Sequence, residues 1–511
     1  MYLTQCLHRM VRQAADSPAA ADASTSLSWR ELTDRVARFA GALRDRGLQP
    51  GDRVAMLARN GTDFLVYLLG TWWAGGVINP VNLRWTAGEI GYSLENCQTR
   101  FLIFDPEFAA LVPDIRAASP SLAHLVETGA PLDGWINDAA PVEDALRRGD
   151  ALAAILYTGG TTGFPKGVML SHANFAASML GSIAAQRFPA GERNLHVAPL
   201  FHVGALSGLL IALFSGTASH FRPAFEPLAV IEAIARERID ELFLVPTMIR
   251  MVIDHPRFAD YDMRSVRQIR YGASSIDAAT LDRAMAAFPN ADFVQAYGMT
   301  ELSPSATVLT SADHGPEARA NGRLRSAGRA TPTTEVKIVG PDDVELPRGE
   351  IGEIVVRGPT VMLGYWQMPE ATAEALRGGW MHTGDLGRMD DEAYVTVVDR
   401  LKDMIITGGE NVYSAEVESA LSTHPDVAAL AVVAVPDPKW GERVHAVVVP
   451  RAGATPCTQA LTDHCRERLA GYKIPRSFAF VEGLPLSAAG KVLKNVLRDA
   501  ARGEQAGGRL E

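Results

Sequence analysis

The sequence contains few cysteines, and it has fewer basic than acidic residues. Four cysteines occur in 511 residues, and they lie far apart or at spacings that zinc sites do not use. A disulfide framework and a zinc site are therefore not indicated, and a reducing compartment is expected. Lysine and arginine number 49 against 59 acidic residues, which argues against a nucleic-acid partner and against adsorption to anionic membranes. The cysteines are Cys6, Cys97, Cys457 and Cys465.

Long apolar runs are also missing. The most apolar segment, residues 203–218, is shorter than the roughly 20 residues that cross a bilayer, so we expect a buried helix and no membrane span. The first residues, MYLTQCLHRMVRQ, indicate a short amphipathic helix without the basic start, apolar stretch and cleavage site of a signal peptide. We therefore expect a cytoplasmic protein.

The length of the chain requires more than one domain. At 511 residues it is too long for one hydrophobic core, because cores stop growing at roughly 250–300 residues. We predict a large domain over residues 1–399 and a small one over residues 400–511. The boundary falls in the charged segment DRLKD at 399–403, which contains neither Pro nor Gly and so favours a defined pivot over a loose tether.

Strands and helices alternate through most of the larger domain. Ser28 and Glu31 predict a capping box at the start of a helix, and Gly47 is expected to end that helix before a strand. The alternation favours a mostly parallel sheet. From about Ser326, Val- and Ile-rich segments such as TEVKIVG and GEIVVRG predict a small antiparallel or barrel-like subdomain. The predicted fold class is α/β: a large N-terminal domain of α/β sheet layers with a small barrel-like β subdomain, then a small α+β C-terminal domain.

A segment rich in Gly and Thr, YTGGTTGFPKGV at residues 157–168, follows an apolar run. Its glycines let a ligand approach the main chain, where successive N–H groups can form an anion-binding nest. Its threonines add hydroxyl donors and Lys166 adds positive charge, so the segment is typical of phosphate binding. It is not a P-loop, because Pro165 precedes Lys166 and an apolar strand follows in place of a helix. A structural hairpin turn is the alternative, since Gly and Thr also suit hairpins.

Five motifs occur in order along the chain. They are YTGGTTGFPKGV at 157–168, YGMTE at 297–301, HTGDLG at 382–387, DRLKDMIITGGENVYSAEVE at 399–418 and SAAGKVLK at 487–494. Together they resemble the AMP-forming acyl-CoA synthetases, a family of adenylating enzymes that includes acyl- and aryl-CoA ligases, luciferases and peptide-synthetase adenylation domains. Two places depart from the family pattern: Gly159 stands where Ser is usual, and Lys494 with Asn495 stands where Arg usually continues the last motif.

The resemblance implies a two-step ligase reaction that uses ATP, Mg²⁺ and coenzyme A. A carboxylate attacks the α-phosphorus of ATP to give an acyl-adenylate and pyrophosphate, and the thiol of coenzyme A then displaces AMP. The matching catalytic residue is Lys491, which would reach the carboxylate and the adenosine phosphate from a mobile C-terminal domain. Glu301 would hold Mg²⁺, and Thr300 would meet the α-phosphate. Without the motifs, Lys491 would be interpreted as a surface lysine and Glu301 as a helix cap.

The same motifs imply a nucleotide pocket. Tyr297 is expected beside the adenine, Asp385 on the ribose hydroxyls, and Arg400 on the ribose or the phosphates. A turn-forming role is the alternative for Asp385. The residues implied for ATP and AMP are Thr158, Gly160, Thr161, Thr162, Gly163, Lys166, Gly272, Ala273, Ser274, Tyr297, Gly298, Thr300, Asp385 and Arg400.

A hinge and a coenzyme A channel are implied in the C-terminal domain. Lys402 occupies the family's hinge position, where the small domain rotates between the two half-reactions; a surface lysine without a role is the alternative. Gly409 would admit the thin pantetheine chain, and Trp440 would pack on pantetheine or fill the core. The residues assigned to coenzyme A are Gly408, Gly409, Trp440, Lys473 and Arg476, of which the two basic residues could equally be solvated.

The acyl pocket is expected to be apolar and of moderate size. His202 stands where related ligases place an aromatic or His gate, although a buried structural His fits as well. Small residues after it leave room, and no acidic residue is placed to pair with the amino group of an amino acid. We therefore expect a medium-chain fatty acid or an aryl, cinnamate-type acid, with weak discrimination between chain lengths. The implied acyl-binding residues are His202, Gly204, Ser207, Met248, Tyr271, Gly298 and Met299.

Three other functions are compatible with parts of this pattern. A ligase could deliver its acyl group to a carrier-protein thiol, which a comparison of free coenzyme A with a carrier protein would reveal. A luciferase-type oxidase would show oxygen uptake or light emission. A nucleotide-binding sensor without catalysis is opposed by the joint presence of Lys491, Glu301, Asp385 and Arg400. A homodimer is a candidate assembly.

Overall fold

The computed structural model describes residues 1–158, 165–186, 192–274, 276–486 and 492–506. The helices, in chain order, are α1 (Gln5–Ala14), α2 (Trp29–Asp45), α3 (Thr62–Ala74), α4 (Ala87–Asn96), α5 (Val112–Ala118), α6 (Ala130–Asp138), α7 (His172–Gln186), α8 (Val203–Ser215), α9 (Pro227–Glu237), α10 (Pro246–Ile253), α11 (Ala278–Ala287), α12 (Pro316–Ala320), α13 (Pro369–Ala375), α14 (Ser414–Ser422), α15 (Thr458–Arg466) and α16 (Lys494–Ala506). The strands are β1 (Pro18–Ala21), β2 (Ser26–Ser28), β3 (Arg53–Leu57), β4 (Val77–Pro80), β5 (Phe101–Phe104), β6 (His124–Glu127), β7 (Leu152–Thr158), β8 (Lys166–Ser171), β9 (Arg193–His196), β10 (Ala218–Phe221), β11 (Glu241–Leu244), β12 (Gln268–Gly272), β13 (Asp292–Gly298), β14 (Ser305–Leu309), β15 (Arg329–Ala330), β16 (Glu335–Val339), β17 (Gly352–Arg357), β18 (Gly364–Tyr365), β19 (Met381–Met389), β20 (Val395–Arg400), β21 (Ile405–Thr407), β22 (Glu410–Val412), β23 (Val427–Asp437), β24 (Gly441–Pro450) and β25 (Ser477–Phe480).

Contacts divide these elements into two compact units. The first comprises residues 1–336 and 356–381, and the second comprises residues 337–355 and 382–511. The fold is thus mixed α/β with a large N-terminal and a small C-terminal part, as the sequence predicts. The domain boundary between residues 399 and 400 stays a prediction.

The first unit is built on two large sheets with helices between their strands. One sheet has the order β15-β14-β13-β12-β11-β9-β10-β1-β2, and the other β18-β8-β7-β4-β3-β5-β6. Parallel pairs run through the middle of both, from β10 to β13 in the first and from β7 to β6 in the second. The mostly parallel sheet predicted from the strand–helix alternation is confirmed.

Local sequence signals explain where several helices begin and end. At the start of α2, Ser28 Oγ accepts a hydrogen bond of 3.3 Å from the Glu31 N–H, and the Glu31 carboxylate accepts one of 2.8 Å from the Ser28 N–H. The predicted capping box is therefore confirmed. Helix α8 is apolar around its whole circumference, which is typical of a helix buried on all sides, and its residues are buried accordingly. Among the described residues, no helix combines the length and apolarity needed to cross a bilayer.

The second unit contains two smaller sheets. One has the order β16-β17-β19-β20; in the other, β22-β21-β24-β23 are joined by β25, which pairs with β24. Successive residues of β23 face opposite ways. Val432 packs with Leu461 of α15 on one face, and Val433 packs with Leu497 of α16 on the other. The small C-terminal part is therefore α+β, as the sequence predicts.

Candidate active site

A β-hairpin carries the Gly- and Thr-rich segment of the first unit. β7 and β8 pair antiparallel with Thr158 opposite Lys166, so the strand predicted after the segment is confirmed. The Lys166 ammonium lies 4.9 Å from the centroid of the Tyr365 ring, on β18, which pairs with β8. Four residues assigned to phosphate lie outside the described residues: Gly160, Thr161, Thr162 and Gly163.

The segments assigned to adenine end two neighbouring strands. β12 and β13 pair in parallel, with Gly272 opposite Ala296, so their carboxyl ends meet at one edge of the sheet, where ligands of open α/β sheets bind. Gly298 has a φ of +158°, and a Cβ there would lie 1.8 Å from the Pro304 carbonyl oxygen. Only glycine, which has no Cβ, allows the backbone to come this close to the Pro304 carbonyl oxygen. The edge brings together Gly272, Ala273, Ser274, Tyr297 and Gly298; their contact with a nucleotide stays a prediction.

Glu301 lies in a single 3₁₀ turn, Thr300–Leu302, directly after Met299. Its carboxylate is buried, and Oε1 accepts a hydrogen bond of 2.9 Å from the hydroxyl of Tyr365. Burial and the nearby Glu301 carboxylate raise the pKa of Tyr365, so its hydroxyl remains a donor. Carboxylate oxygen is the ligand type that Mg²⁺ prefers, and the residues present therefore fit a magnesium ion held through Glu301.

An aromatic ring lies against the small residues that follow His202. A Cβ built on Gly204 would lie 3.6 Å from Cζ of Phe243, and one built on Gly208 would lie 3.9 Å from its Cβ. The two glycines are one turn apart and share a face of α8. Part of the room expected beside them is therefore taken by Phe243, which the sequence analysis missed. Phe243 is half-buried between the buried Leu242 and Leu244 of β11, and the aromatic residue in the apolar run ELFL is the signal that could have found it.

The other residues assigned to the acid differ in their surroundings. His202 precedes α8 and is half-buried, with its ring centroid 4.4 Å from that of Phe201. Ser207 is buried on α8, whereas Met248 and Met299 are half-buried. Their contact with a carboxylic acid stays a prediction.

Tyr271 has a packing role in the core of the first unit. Its ring is fully buried among apolar residues, and its hydroxyl lies 2.8 Å from Nε2 of His314. Since Nδ1 of His314 lies 2.8 Å from the Thr310 carbonyl oxygen, which can only accept, we assign the proton to Nδ1, and the Tyr271 hydroxyl donates to Nε2. Burial raises the pKa of Tyr271 and lowers that of His314, so both remain neutral. The assignment of Tyr271 to the acyl pocket stays a prediction.

In the second unit, Asp385 and Arg400 face each other across β19 and β20. Arg400 Nε lies 3.3 Å from Oδ1 of Asp385, and the Asp385 N–H donates to the Thr383 hydroxyl at 3.1 Å. Asp385 is buried, whereas Arg400 is exposed. The sheet thus holds a carboxylate beside a guanidinium, a pair suited to ribose hydroxyls and phosphate.

Lys402, the residue assigned as the hinge, accepts a hydrogen bond at its backbone carbonyl oxygen. The exposed Lys402 directs its carbonyl oxygen to Nη1 of Arg498, which donates to it at 3.0 Å and to Oδ1 of Asp403 at 2.8 Å. Arg498 lies on α16, 96 residues from Lys402, and no local pattern in the sequence could have revealed this contact. The hinge role of Lys402 stays a prediction.

The residues assigned to coenzyme A separate into two groups. Trp440 accepts a hydrogen bond of 2.8 Å at its carbonyl oxygen from the Gly408 N–H, and the guanidinium of Arg476 lies 4.5 Å above its ring. Gly409 is exposed beside them. Lys473 instead forms an ion pair of 2.7 Å with Glu416. Burial disfavours its charge, but the hydrogen bond and charge of Glu416 prevail and raise the pKa of Lys473.

This difference leads to a first testable prediction. Arg476→Ala should raise the KM for coenzyme A about tenfold, the loss of one charge-assisted hydrogen bond, and leave adenylation unchanged. Lys473→Ala should change this KM by less than about threefold, because a half-exposed ion pair already neutralises that charge. Steady-state kinetics of both half-reactions checks this, and a larger effect of Lys473→Ala would contradict it.

The predicted catalytic residue, Lys491, lies outside the described residues. On either side of it the chain is well paired: Leu486 and Val492 form a β-bridge, and the Leu493 N–H donates to the Pro485 carbonyl oxygen at 2.8 Å. Lys494, at the start of α16, lies 2.7 Å from Oε1 of Glu418. The described residues that flank Lys491 are thus paired with one another within the second unit.

Comparison with known proteins gives consistent results. The AMP-binding enzyme family matches residues 7–366, and the AMP-binding enzyme C-terminal domain matches residues 416–491. A feruloyl-CoA synthase of Amycolatopsis sp is 41% identical over 496 residues, covering 96% of this chain and 97% of that protein. The fatty acid–[acyl-carrier-protein] ligase ScoC of Streptomyces coeruleorubidus is 35% identical over 498 residues, covering 96% and 94%. The crystal structure of ATP-bound MatB from Rhodopseudomonas palustris superposes with a TM-score of 0.90 at 34% identity, over 98% of this chain and 99% of that one.

Proposed function

Since the chain belongs to the AMP-binding enzyme family and is an AMP-forming acyl- or aryl-CoA ligase, we propose that its acid substrate is an aromatic acid of the hydroxycinnamate type. ATP, Mg²⁺ and coenzyme A are the other reactants and cofactor of the family's reaction. The choice of acid depends on one observation: the Phe243 ring lies against Gly204 and Gly208 of α8.

The reaction needs charge neutralisation and alignment more than a protein nucleophile. A carboxylate oxygen bonds to the α-phosphorus as the bond to pyrophosphate breaks; the thiolate sulfur of coenzyme A then bonds to the acyl carbon as AMP leaves, and the thiol proton passes to solvent. We assign the offset of the negative charge in the first step to Lys491, with Thr158, Lys166 and Thr300 on the phosphates. Mg²⁺, held through Glu301, would neutralise further phosphate charge.

The ribose is assigned to Asp385 with Arg400. A buried carboxylate on a paired strand can accept hydrogen bonds from both ribose hydroxyls without losing side-chain entropy on binding. The adjacent guanidinium limits the repulsion between that carboxylate and the phosphates. This assignment is supported by their cross-strand pairing.

The choice of an aryl acid is supported by the rings near α8. Phe243 lies against the face of Gly204 and Gly208, and the Phe201 ring packs at a tilt of 47° against His202 just before the helix. Aromatic pairs in offset or edge-on geometry gain about 0.5–1.5 kcal/mol beyond area burial. The ring of an aryl acid would gain this additional binding free energy, whereas an aliphatic chain would gain only the free energy of burying its methylenes.

Replacement of Phe243 by leucine therefore gives a second prediction. It should lower kcat/KM for ferulate or coumarate by about 3- to 10-fold, the equivalent of one lost aromatic pair, and leave kcat/KM for octanoate within about twofold. The measurement is AMP release with each acid in turn. Phe258→Leu is the matched control, because Phe258 packs edge-on against Phe288 at 5.7 Å, away from α8. Equal losses with both acids, or a wild-type preference for octanoate, would contradict the aryl substrate.

A carrier-protein thiol is the alternative acceptor, since ScoC is named as an acyl-carrier-protein ligase. The grouping of Gly408, Trp440 and Arg476 supports free coenzyme A, and a direct comparison of the two thiols decides between them.

We further propose that the protein is a cytoplasmic homodimer. The buried free thiols of Cys6, Cys97 and Cys465 suit a reducing compartment, and light scattering of the purified protein tests the dimer.

A further inference from the structure

The side chain of Tyr365 contacts two charged residues assigned to the reaction, Glu301 and Lys166. Its hydroxyl donates to Oε1 of Glu301 at 2.9 Å, and its ring lies 4.9 Å from the Lys166 ammonium. A tyrosine can serve both partners at once, because the electron-rich face of the ring attracts a cation while the hydroxyl donates to an anion. Tyr365 is buried, whereas Lys166 is half-buried.

The backbone around Tyr365 is tied to both partners. In the segment 359–366, the Met362 N–H donates to the Glu301 carbonyl oxygen at 2.9 Å, and the Trp366 N–H donates to the Gly167 carbonyl oxygen at 2.7 Å. Tyr365 itself pairs with Val168 across β18 and β8. The segment therefore connects the turn that carries Glu301 with the strand that carries Lys166.

Three further hydrogen bonds fix the position of the segment 359–366. The side-chain amide of Asn174, on α7, donates to the carbonyl oxygens of Pro359 and Val361 at 2.9 and 2.8 Å. The Tyr365 N–H donates to the Thr372 hydroxyl of α13 at 2.9 Å. With its backbone held at both ends, Tyr365 can impose one orientation on the carboxylate that it contacts.

We propose that Tyr365 is a positioning residue for Glu301, whose carboxylate it orients for the magnesium ion that accompanies ATP. A carboxylate that is free to rotate must lose rotamer entropy when it binds a metal, whereas one held by a hydrogen bond at Oε1 is already ordered. The inference rests on the proposed function, since it requires that the site bind ATP.

The role of the hydroxyl can be separated from the role of the ring. Tyr365→Phe removes the hydrogen bond to Glu301 and leaves the ring beneath Lys166, so metal-free ATP should bind as before. The gain in ATP affinity that Mg²⁺ provides should fall by about tenfold, within the range measured when residues that orient metal ligands are removed. A tyrosine that only fills space would give no such selective loss.

Calorimetric titration of the purified full chain with ATP, once with excess Mg²⁺ and once with EDTA, measures this gain without reference to catalysis. Tyr261→Phe is the matched control, because the Tyr261 hydroxyl also donates to a glutamate, Glu232 of α9, at 3.0 Å and neither residue belongs to the candidate site. We expect Tyr261→Phe to keep the full gain and Tyr365→Phe to lose most of it. Binding of Mn²⁺ in the presence of ATP, followed by electron paramagnetic resonance, should weaken only in Tyr365→Phe.

Two results would overturn the inference. One is a Mg²⁺-dependent gain in Tyr365→Phe equal to that of the wild type; the other is an equal loss of ATP affinity with and without Mg²⁺, which would indicate a packing role. Failure of the proposed function is a different result: the wild type itself would then bind no ATP under either condition. Thermal unfolding of both variants shows whether the fold is retained.

Discussion

Replacement of Lys491 by alanine should lower the rate of acyl-adenylate formation by about 100- to 1000-fold, the loss measured when one preorganised charge-stabilising donor is removed from an active site. In the first half-reaction an anionic carboxylate approaches an anionic phosphate, and the ammonium group assigned to Lys491 would offset this repulsion. In the second half-reaction a thiol displaces AMP from a neutral acyl carbon. Thioester formation from supplied acyl-adenylate should therefore fall by less than about tenfold.

The two half-reactions can be measured separately in the same variant. Adenylation is followed by exchange of labelled pyrophosphate into ATP, and thioester formation by the release of AMP from synthetic acyl-adenylate with coenzyme A. Lys337→Ala, on β16 of the second unit, is a control that removes a lysine assigned no role. Equal losses in both half-reactions of Lys491→Ala would show that this lysine does not act in adenylation alone.

Replacement of Gly409 by leucine should have the opposite profile. Gly409 has a φ of +88° and is exposed, and a Cβ there would meet nothing within 4 Å, so a side chain would project into the space assigned to pantetheine. We expect thioester formation to fall by about 100-fold, because a small displacement of a reacting group is enough to cause such a loss. Adenylation should keep most of its rate.

The backbone strain of this substitution needs its own control. Any L-residue at a positive φ is strained, and Gly453 provides the same situation, with a φ of +80° and nothing within 4 Å of a built Cβ. Gly453 also lies in the second unit but outside every assigned site. If Gly453→Leu impaired thioester formation as strongly as Gly409→Leu, strain would explain the effect and the channel assignment would be wrong.

The sequence predicts those features of the site that depend on neighbouring residues. The antiparallel pairing of β7 and β8, with Thr158 opposite Lys166, follows from the apolar runs on either side of the Gly- and Thr-rich segment. The capping box at Ser28 follows from a local pattern in the same way. In both cases the physical cause lies within a few residues of the motif.

The contacts that the sequence could not predict join residues far apart in the chain. Tyr365 reaches Glu301 over 64 residues, and Lys473 is neutralised by Glu416 over 57. Such pairs depend on how sheets and helices pack, which neither composition nor periodicity determines. Phe243 is an intermediate case, since the apolar run ELFL predicts a strand that contains it but not its place beside Gly204.

The most direct test of the proposed reaction is the exchange of labelled pyrophosphate into ATP, measured with hydroxycinnamates, arylacetates and fatty acids in turn. We expect exchange that requires an acid, that is fastest with a hydroxycinnamate, and that Lys491→Ala lowers by about 100- to 1000-fold. Absence of exchange with every acid, or exchange that is unchanged in Lys491→Ala, would contradict an adenylating ligase that depends on this lysine.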